Sequence, residues 1–168
     1  MADSFGHSHT VFDGGGAVMF DKVARKYNIP VDLVKAIIQV ESSNQMWAVR
    51  YEPNYRWLYK PEYFAKSNHI PQATEEALQK TSWGLTQIMG AVAREYGFGK
   101  RFLTELLCPE QSLEYGMRHF AAYHRRFGNL EDAIASYNGG PGAVFNKKEV
   151  YPNQQYVNKV VKAWKGGK

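Results

Sequence analysis

Val31-Asp32-Leu33-Val34-Lys35-Ala36-Ile37-Ile38-Gln39-Val40-Glu41-Ser42-Ser43 is the stretch on which the reading of this chain turns. Val34, Ile37 and Ile38 lie seven, four and three residues before Glu41, so all four side chains share one face of a 3.6-residue helix. That face is aliphatic until it meets a carboxyl group. Glu41 is therefore directed toward a core or a cleft, where desolvation disfavours the charged form and holds the proton on the acid toward neutral pH. A carboxyl in that state suits a proton donor to a leaving group. Pro30 and Asp32 supply the start signal of the helix.

Working outward, helical periodicity dominates. Met19, Val23 and Tyr27 predict a first short helix ending near Asn28. Leu85, Ile88, Met89, Val92 and Tyr96 predict a helical stripe stopped at Gly97. Leu113, Met117, Phe120 and Ala121 predict a helix over residues 109–127 with Gly128 as its stop, and Asn129 caps a further helix that buries Leu130, Ala133, Ile134 and Tyr137. Asn138-Gly139-Gly140-Pro141-Gly142 breaks that helix, and Val157, Val160, Val161 and Trp164 mark a last one, basic on its outer side.

Ser82-Trp83-Gly84-Leu85-Thr86-Gln87-Ile88-Met89, Ala133-Ile134-Ala135-Ser136-Tyr137-Asn138-Gly139-Gly140-Pro141-Gly142 and Tyr156-Val157 follow Glu41-Ser42 in this order. Together they resemble the Glu-Ser, Gly-Leu-Met-Gln, Ala-Tyr-Asn-Ala-Gly-Pro-Gly and Tyr-Val motifs of the soluble lytic transglycosylase domain, whose fold is related to goose-type lysozyme. The resemblance spans residues 30–164. It implies a mainly α, lysozyme-like domain and cleavage of the β-1,4 bond between N-acetylmuramic acid and N-acetylglucosamine in peptidoglycan. Glu41 would act as acid and then as base, and the product would end in 1,6-anhydro-N-acetylmuramic acid.

The resemblance also implies roles for other residues. Gln87 would bind sugar or peptide, Met89 would offer an apolar surface, and Tyr137 would point its hydroxyl at Glu41. Asn138, Tyr156 and, less securely aligned, Ser82 complete the substrate-binding set. Thr86, Gly90 and Gly139 stand where the family usually has Met, Pro and Ala. Tyr137 and Met89 also fit simple core packing.

The chain departs most from the family over residues 44–80, an insertion rich in aromatic residues (Trp47, Tyr51, Tyr55, Trp57, Tyr59, Tyr63, Phe64) with room for a small β-hairpin. Thr74-Glu75-Glu76 reads there as a helix start. The aromatics are equally suited to stacking on sugar rings and to packing the insertion onto the domain. Glu52, Glu62, Glu75 and Glu76 all lie in it; any one reaching over the cleft to position a water would make the enzyme a hydrolytic muramidase.

At 168 residues the chain reads as one domain, residues 17–168, after a Gly-, Ser-, His- and Asp-rich tail, residues 1–16, expected to be mobile. His7 and His9 sit in the tail, and His119 and His124 share no helical face, so no metal and no cofactor are expected. The single Cys108 excludes an internal disulfide and reads as a small buried residue. The net charge of +5 and pI near 9.2 favour a polyanionic partner.

Peptidoglycan glycan strands are the expected partner of a monomer, with no nucleic acid and no stable membrane insertion. Lys159, Lys162, Lys165 and Lys168 around Trp164 offer at most a weak contact with an anionic envelope. No secretory signal is visible, so the expectation is a protein made in the cytoplasm that reaches the wall by phage-type release or virion delivery. A non-catalytic glycan-binding domain is the competing class.

Overall fold

The computed structural model describes residues 15–166. Most of the expected tail, residues 1–14 with His7 and His9, and Lys168 lie outside the described residues. The order is α1 (Gly15–Tyr27), α2 (Val31–Ser42), β1 (Val49–Tyr51), α3 (Pro61–Asn68), α4 (Gln72–Gln79), β2 (Thr81–Trp83), β3 (Ile88–Met89) and α5 (Gly90–Glu95). A 3-10 turn (Leu103–Leu107), α6 (Pro109–Phe127), α7 (Leu130–Gly139), α8 (Gly142–Phe145) and α9 (Gln154–Gly166) follow. The fold is mainly α with a small antiparallel sheet, β1-β2-β3.

The apolar face of α2 forms the middle of the larger core. Leu33, Val34, Ile37 and Ile38 are buried with Phe20 and Val23 of α1, Met117 and Phe120 of α6, Ile134 of α7 and Val157 and Val160 of α9. Burial of each such side chain contributes about 1.5–3 kcal/mol. Glu41 therefore emerges where α2 leaves this seam. A smaller core gathers Trp83, Ile88, Ala93, Phe98, Leu103 and Leu106 beneath the sheet.

The local signals at helix ends act as their chemistry requires. Asn129 accepts a hydrogen bond from the Asp132 backbone N–H at 2.8 Å, capping α7, and Gly128 takes φ +77 to end α6.

Residues 85–89 do not form the expected helical stripe. Gly84 (φ +66) and Gln87 (φ +49) hold left-handed backbone, so the chain turns between β2 and β3 and becomes helical only at Gly90. Leu85 and Ile88 are buried, as their apolar character demands, but at turn and strand positions. The insertion contributes one strand, β1, which pairs with β2 beyond it (Arg50 opposite Ser82), together with the helices α3 and α4. α4 starts at Gln72, two residues before the expected Thr74. Cys108 is exposed, not buried: it precedes Pro109 at the start of α6 and its Sγ donates to Glu110 Oε2.

Glu75 is likewise not at the cleft. Its carboxylate takes two hydrogen bonds from Arg94, from Nε at 2.9 Å and from Nη2 at 3.1 Å, with both side chains fully buried. The guanidinium also donates to the Phe98 and Lys100 carbonyls and lies 4.3 Å from the centre of the Phe64 ring. This pair ties α4, and with it the insertion, to α5. Glu75→Gln leaves a buried guanidinium without its counter-charge, so a loss of about 3–5 kcal/mol is expected. Thermal unfolding should show it as a Tm fall of roughly 10 °C.

Candidate active site

A cleft of about 280 Å³ lies between α2, the sheet, α6 and α7, lined by Glu41, Arg50, Glu52, Tyr55, Ser82, Gln87, Ile88, Met89, Val92, His119, Tyr137 and Asn138. A second hollow of about 620 Å³ adjoins it, sharing Glu41, Arg50 and Asn138 and adding Tyr156 and Lys159 of α9. Glu41, Ser82, Gln87, Met89, Tyr137, Asn138 and Tyr156 each line one or both. Glu41 stands on the boundary between them.

Glu41 is placed by the end of α2, which stops where Ser43 turns left-handed and the Ser42 hydroxyl bonds back to the Ile38 carbonyl at 3.1 Å. Burial raises the pKa of Glu41 above the ordinary carboxylate value. A hydrogen bond from Tyr156 and the charge of Arg50 act against that rise.

The orienting tyrosine is not the expected one. Tyr156 donates its hydroxyl to Glu41 Oε1 at 2.5 Å, whereas Tyr137 donates to the Thr86 carbonyl at 2.7 Å. Tyr137 stays within reach of the charge of Glu41, which together with burial pushes its own pKa up. Its hydroxyl, however, secures the turn between β2 and β3. The exchange follows from packing, because α9 lies directly on α2 and brings Tyr156 to the acid.

The turn itself is densely bonded. Thr86 is fully buried and its hydroxyl donates to the Ser112 carbonyl at 2.9 Å, while its N–H donates to Ser112 Oγ. A Cβ at Gly116 would lie 2.3 Å from Thr86 Oγ1, so glycine in α6 permits this close approach. Gln87 spends its amide N–H groups on the carbonyls of Ala48 and Gly84, at 3.0 and 2.9 Å. Its Oε1 is thus the atom offered to the cleft, as an acceptor for a sugar hydroxyl or a peptide N–H. Ser82 donates to the Met89 sulfur at 3.1 Å, and Asn138 Oδ1 accepts from Asn153 at 3.1 Å.

Sequence reasoning passed over Arg50, named Glu52 only as one of four candidate second carboxylates, and set His119 aside. Arg50 is on the cleft face of β1, one position from the exposed Val49 and Tyr51. Glu52 follows it, ion-paired to Arg50 Nε. His119 projects from α6 among the rings of Tyr96, Tyr123 and Tyr137, at centroid distances of 5.6, 4.7 and 5.6 Å. Burial lowers its pKa to about 4, so the imidazole in the cleft is neutral. The available signal was its place on α6 with Gly116 and Phe120, three residues before it and one after. Among the insertion aromatics, Tyr55 lines the cleft, with Trp57 edge-on to it at 5.5 Å, while Phe64 packs on Arg94; Trp47, Tyr51 and Tyr63 are exposed.

The sequence pattern of the transglycosylase SLT domain matches residues 18–159. The chain belongs to the transglycosylase SLT domain family. Such domains cleave glycosidic bonds, and the fold of this SLT domain is similar to that of a solved structure. The X-ray structure of an inactive Glu-to-Gln mutant of the lytic transglycosylase Slt from Pseudomonas aeruginosa superposes with a TM-score of 0.62 at 18% sequence identity. The match covers 89% of this chain and 23% of that one, so the SLT domain described here spans about a quarter of that protein's length.

The geometry makes two measurements on Glu41 decisive. Removing the Tyr156 hydroxyl takes away a bond that favours the carboxylate, so Tyr156→Phe should move the Glu41 titration, followed by carboxyl NMR, to higher pH. Because the folded pKa of Glu41 is raised, its ionisation destabilises the native state as pH rises through that pKa. Glu41→Gln should therefore melt higher than the wild type at pH 8, with the gap closing below the ordinary carboxylate range.

Proposed function

We propose that this SLT domain is a peptidoglycan lytic transglycosylase that cuts the β-1,4 bond between N-acetylmuramic acid and N-acetylglucosamine. The observation that carries the reading is one carboxyl group, Glu41, held at the junction of two hollows, with its pKa raised by burial and its direction set by Tyr156. The family match supports the substrate class. The Pseudomonas aeruginosa protein of similar fold is inactive as a Glu-to-Gln mutant, which supports a role for a glutamate in the reaction.

In the proposed reaction Glu41 enters protonated and gives its proton to the departing glycosidic oxygen. The resulting carboxylate then takes the proton of the muramic acid C6 hydroxyl as that oxygen closes on C1. The glycosidic C1–O bond breaks, the C1–O6 bond forms, and Glu41 ends protonated again. A neutral His119 and the hydroxyl of Tyr156 suit this cycle, because neither adds a positive charge that would trap Glu41 as carboxylate.

Gln87 Oε1, Met89 and Asn138 would hold the sugars on either side of the acid. Lys162 and Lys165, exposed on the outer side of α9, would add a salt-sensitive attraction to an anionic envelope near the site of action. No helix among the described residues is long and apolar enough to cross a membrane.

The test is mass spectrometry of purified peptidoglycan after digestion. Wild-type protein should release fragments ending in 1,6-anhydro-N-acetylmuramic acid, and Glu41→Gln should release them about 100-fold or more slowly while keeping its fold. Glycan binding without any cleavage by the wild type would instead assign the domain to a non-catalytic role.

A further inference from the structure

The cleft holds a second carboxylate that the transglycosylase cycle leaves idle. Across the sheet, Arg50 of β1 stands opposite Ser82 of β2, and Ser82 opposite Met89 of β3; all three line the cleft with Glu41. Glu52 follows Arg50 by two residues, so the strand period returns it to the same face. Its backbone N–H donates to the Lys80 carbonyl at 2.8 Å, which extends the pairing of β1 and fixes the position of Glu52 on the sheet. The side chain lines the cleft and is turned by its ion pair with Arg50.

The other acids of the insertion have no such place. Glu75 is consumed by Arg94, Glu76 accepts from Gln72 at 2.8 Å, and Glu62 is exposed on α3. Glu52, in contrast, lines the cleft, with its buried Oε1 held in the ion pair with Arg50 Nε. A carboxylate that lines the cleft beside Glu41 in this way is an acceptor for an incoming O–H group. The two acids also sit in different surroundings: Glu41 ends an apolar helix face, and Glu52 lies beside a guanidinium with its side chain 36% exposed. Environments set apart in this way divide the tasks of acid and base.

Resting on the reading of Glu41 as proton donor to a glycosidic bond, we infer that Glu52 is a second reacting carboxylate, the general base that delivers a water molecule to C1 of the sugar. Glu41 protonates the departing oxygen as its bond to C1 breaks. The water oxygen bonds to C1 and its proton passes to Glu52. Glu52 then loses that proton to solvent and Glu41 regains one, so one water is consumed, nothing is oxidised or reduced, and the product is a reducing sugar end. The C6 hydroxyl and the water compete for the same carbon, and the enzyme releases anhydro and reducing ends together.

The experiment is end-group mass spectrometry, with and without borohydride reduction, of peptidoglycan digested by wild type, Glu52→Gln and Arg50→Gln. The wild type should yield both ends, and Glu52→Gln should lower the ratio of reducing to anhydro ends by about 100-fold. Arg50→Gln, which frees Glu52 to swing, should lower the ratio by a smaller factor. Because the ratio is internal to each digest, a partly unfolded variant does not alter it. Cleavage that gives only anhydro ends in the wild type, or a ratio unchanged by Glu52→Gln, overturns the assignment of Glu52 and leaves that of Glu41 standing. A wild type that cuts no glycosidic bond removes both.

Discussion

A carboxyl group at the end of an aliphatic helix face stays there only if another part of the chain supplies a donor, and Tyr156 does so across 115 residues of sequence. That bond joins α2, the central helix of the larger core, to α9 near the end of the domain. Its placement requires α9 to lie on α2 through Val157 and Val160, and α7 packs on α9 in turn. Burial and bonding then act on Glu41 in opposite senses: desolvation favours the acid, while Tyr156 and Arg50 favour its anion. In the proposed cycle Glu41 releases a proton and recovers it, and a group with that task is best held between two such influences.

The helices were legible because their apolar stripes exceed two turns. α6 runs over residues 109–127 as its pattern indicates, since Leu113, Met117 and Phe120 can all be buried only on that period. The stretch from Leu85 to Met89 misled for a physical reason. Leu85 and Ile88 are spaced as on a helix, but a spacing of three also fits a turn followed by a strand, and the left-handed backbone of Gln87 leaves no trace in residue type. Glu75 was unreadable in a similar way, because its partner Arg94 becomes a neighbour only when α4 packs on α5.

Candidate site residues were recoverable as a set but not as a wiring diagram. Glu41, Ser82, Gln87, Met89, Tyr137, Asn138 and Tyr156 gather at the two adjoining hollows. Which tyrosine meets the acid depends on how α7 and α9 pack, on a scale of a few ångströms that motif order does not carry. Tyr137 is directed to the Thr86 carbonyl because that turn is already drawn against α6 by Thr86, Ser112 and Gly116. Arg50 was hidden by its setting in a segment without periodicity, and nothing in residue type set Glu52 apart from Glu62, Glu75 and Glu76 until β1 brought it with Arg50 to the cleft.

The insertion is therefore better understood as a wall than as a decoration. Its anchor is the buried Glu75–Arg94 pair with Phe64 over the guanidinium, reinforced by Gln79, whose amide bonds both the N–H and the carbonyl of Tyr59. A segment anchored at α4 and paired through β1 to β2 cannot drift from the cleft without breaking buried charge contacts. This rigidity lets the segment present Arg50 as, among the described residues, the single cationic side chain lining the smaller hollow, in a region where His119 is kept neutral by burial. The charge balance around Glu41 is thus set on one side by Arg50 of β1. The electrostatics at Glu41 are then set jointly by the helix that carries it and the strand that faces it.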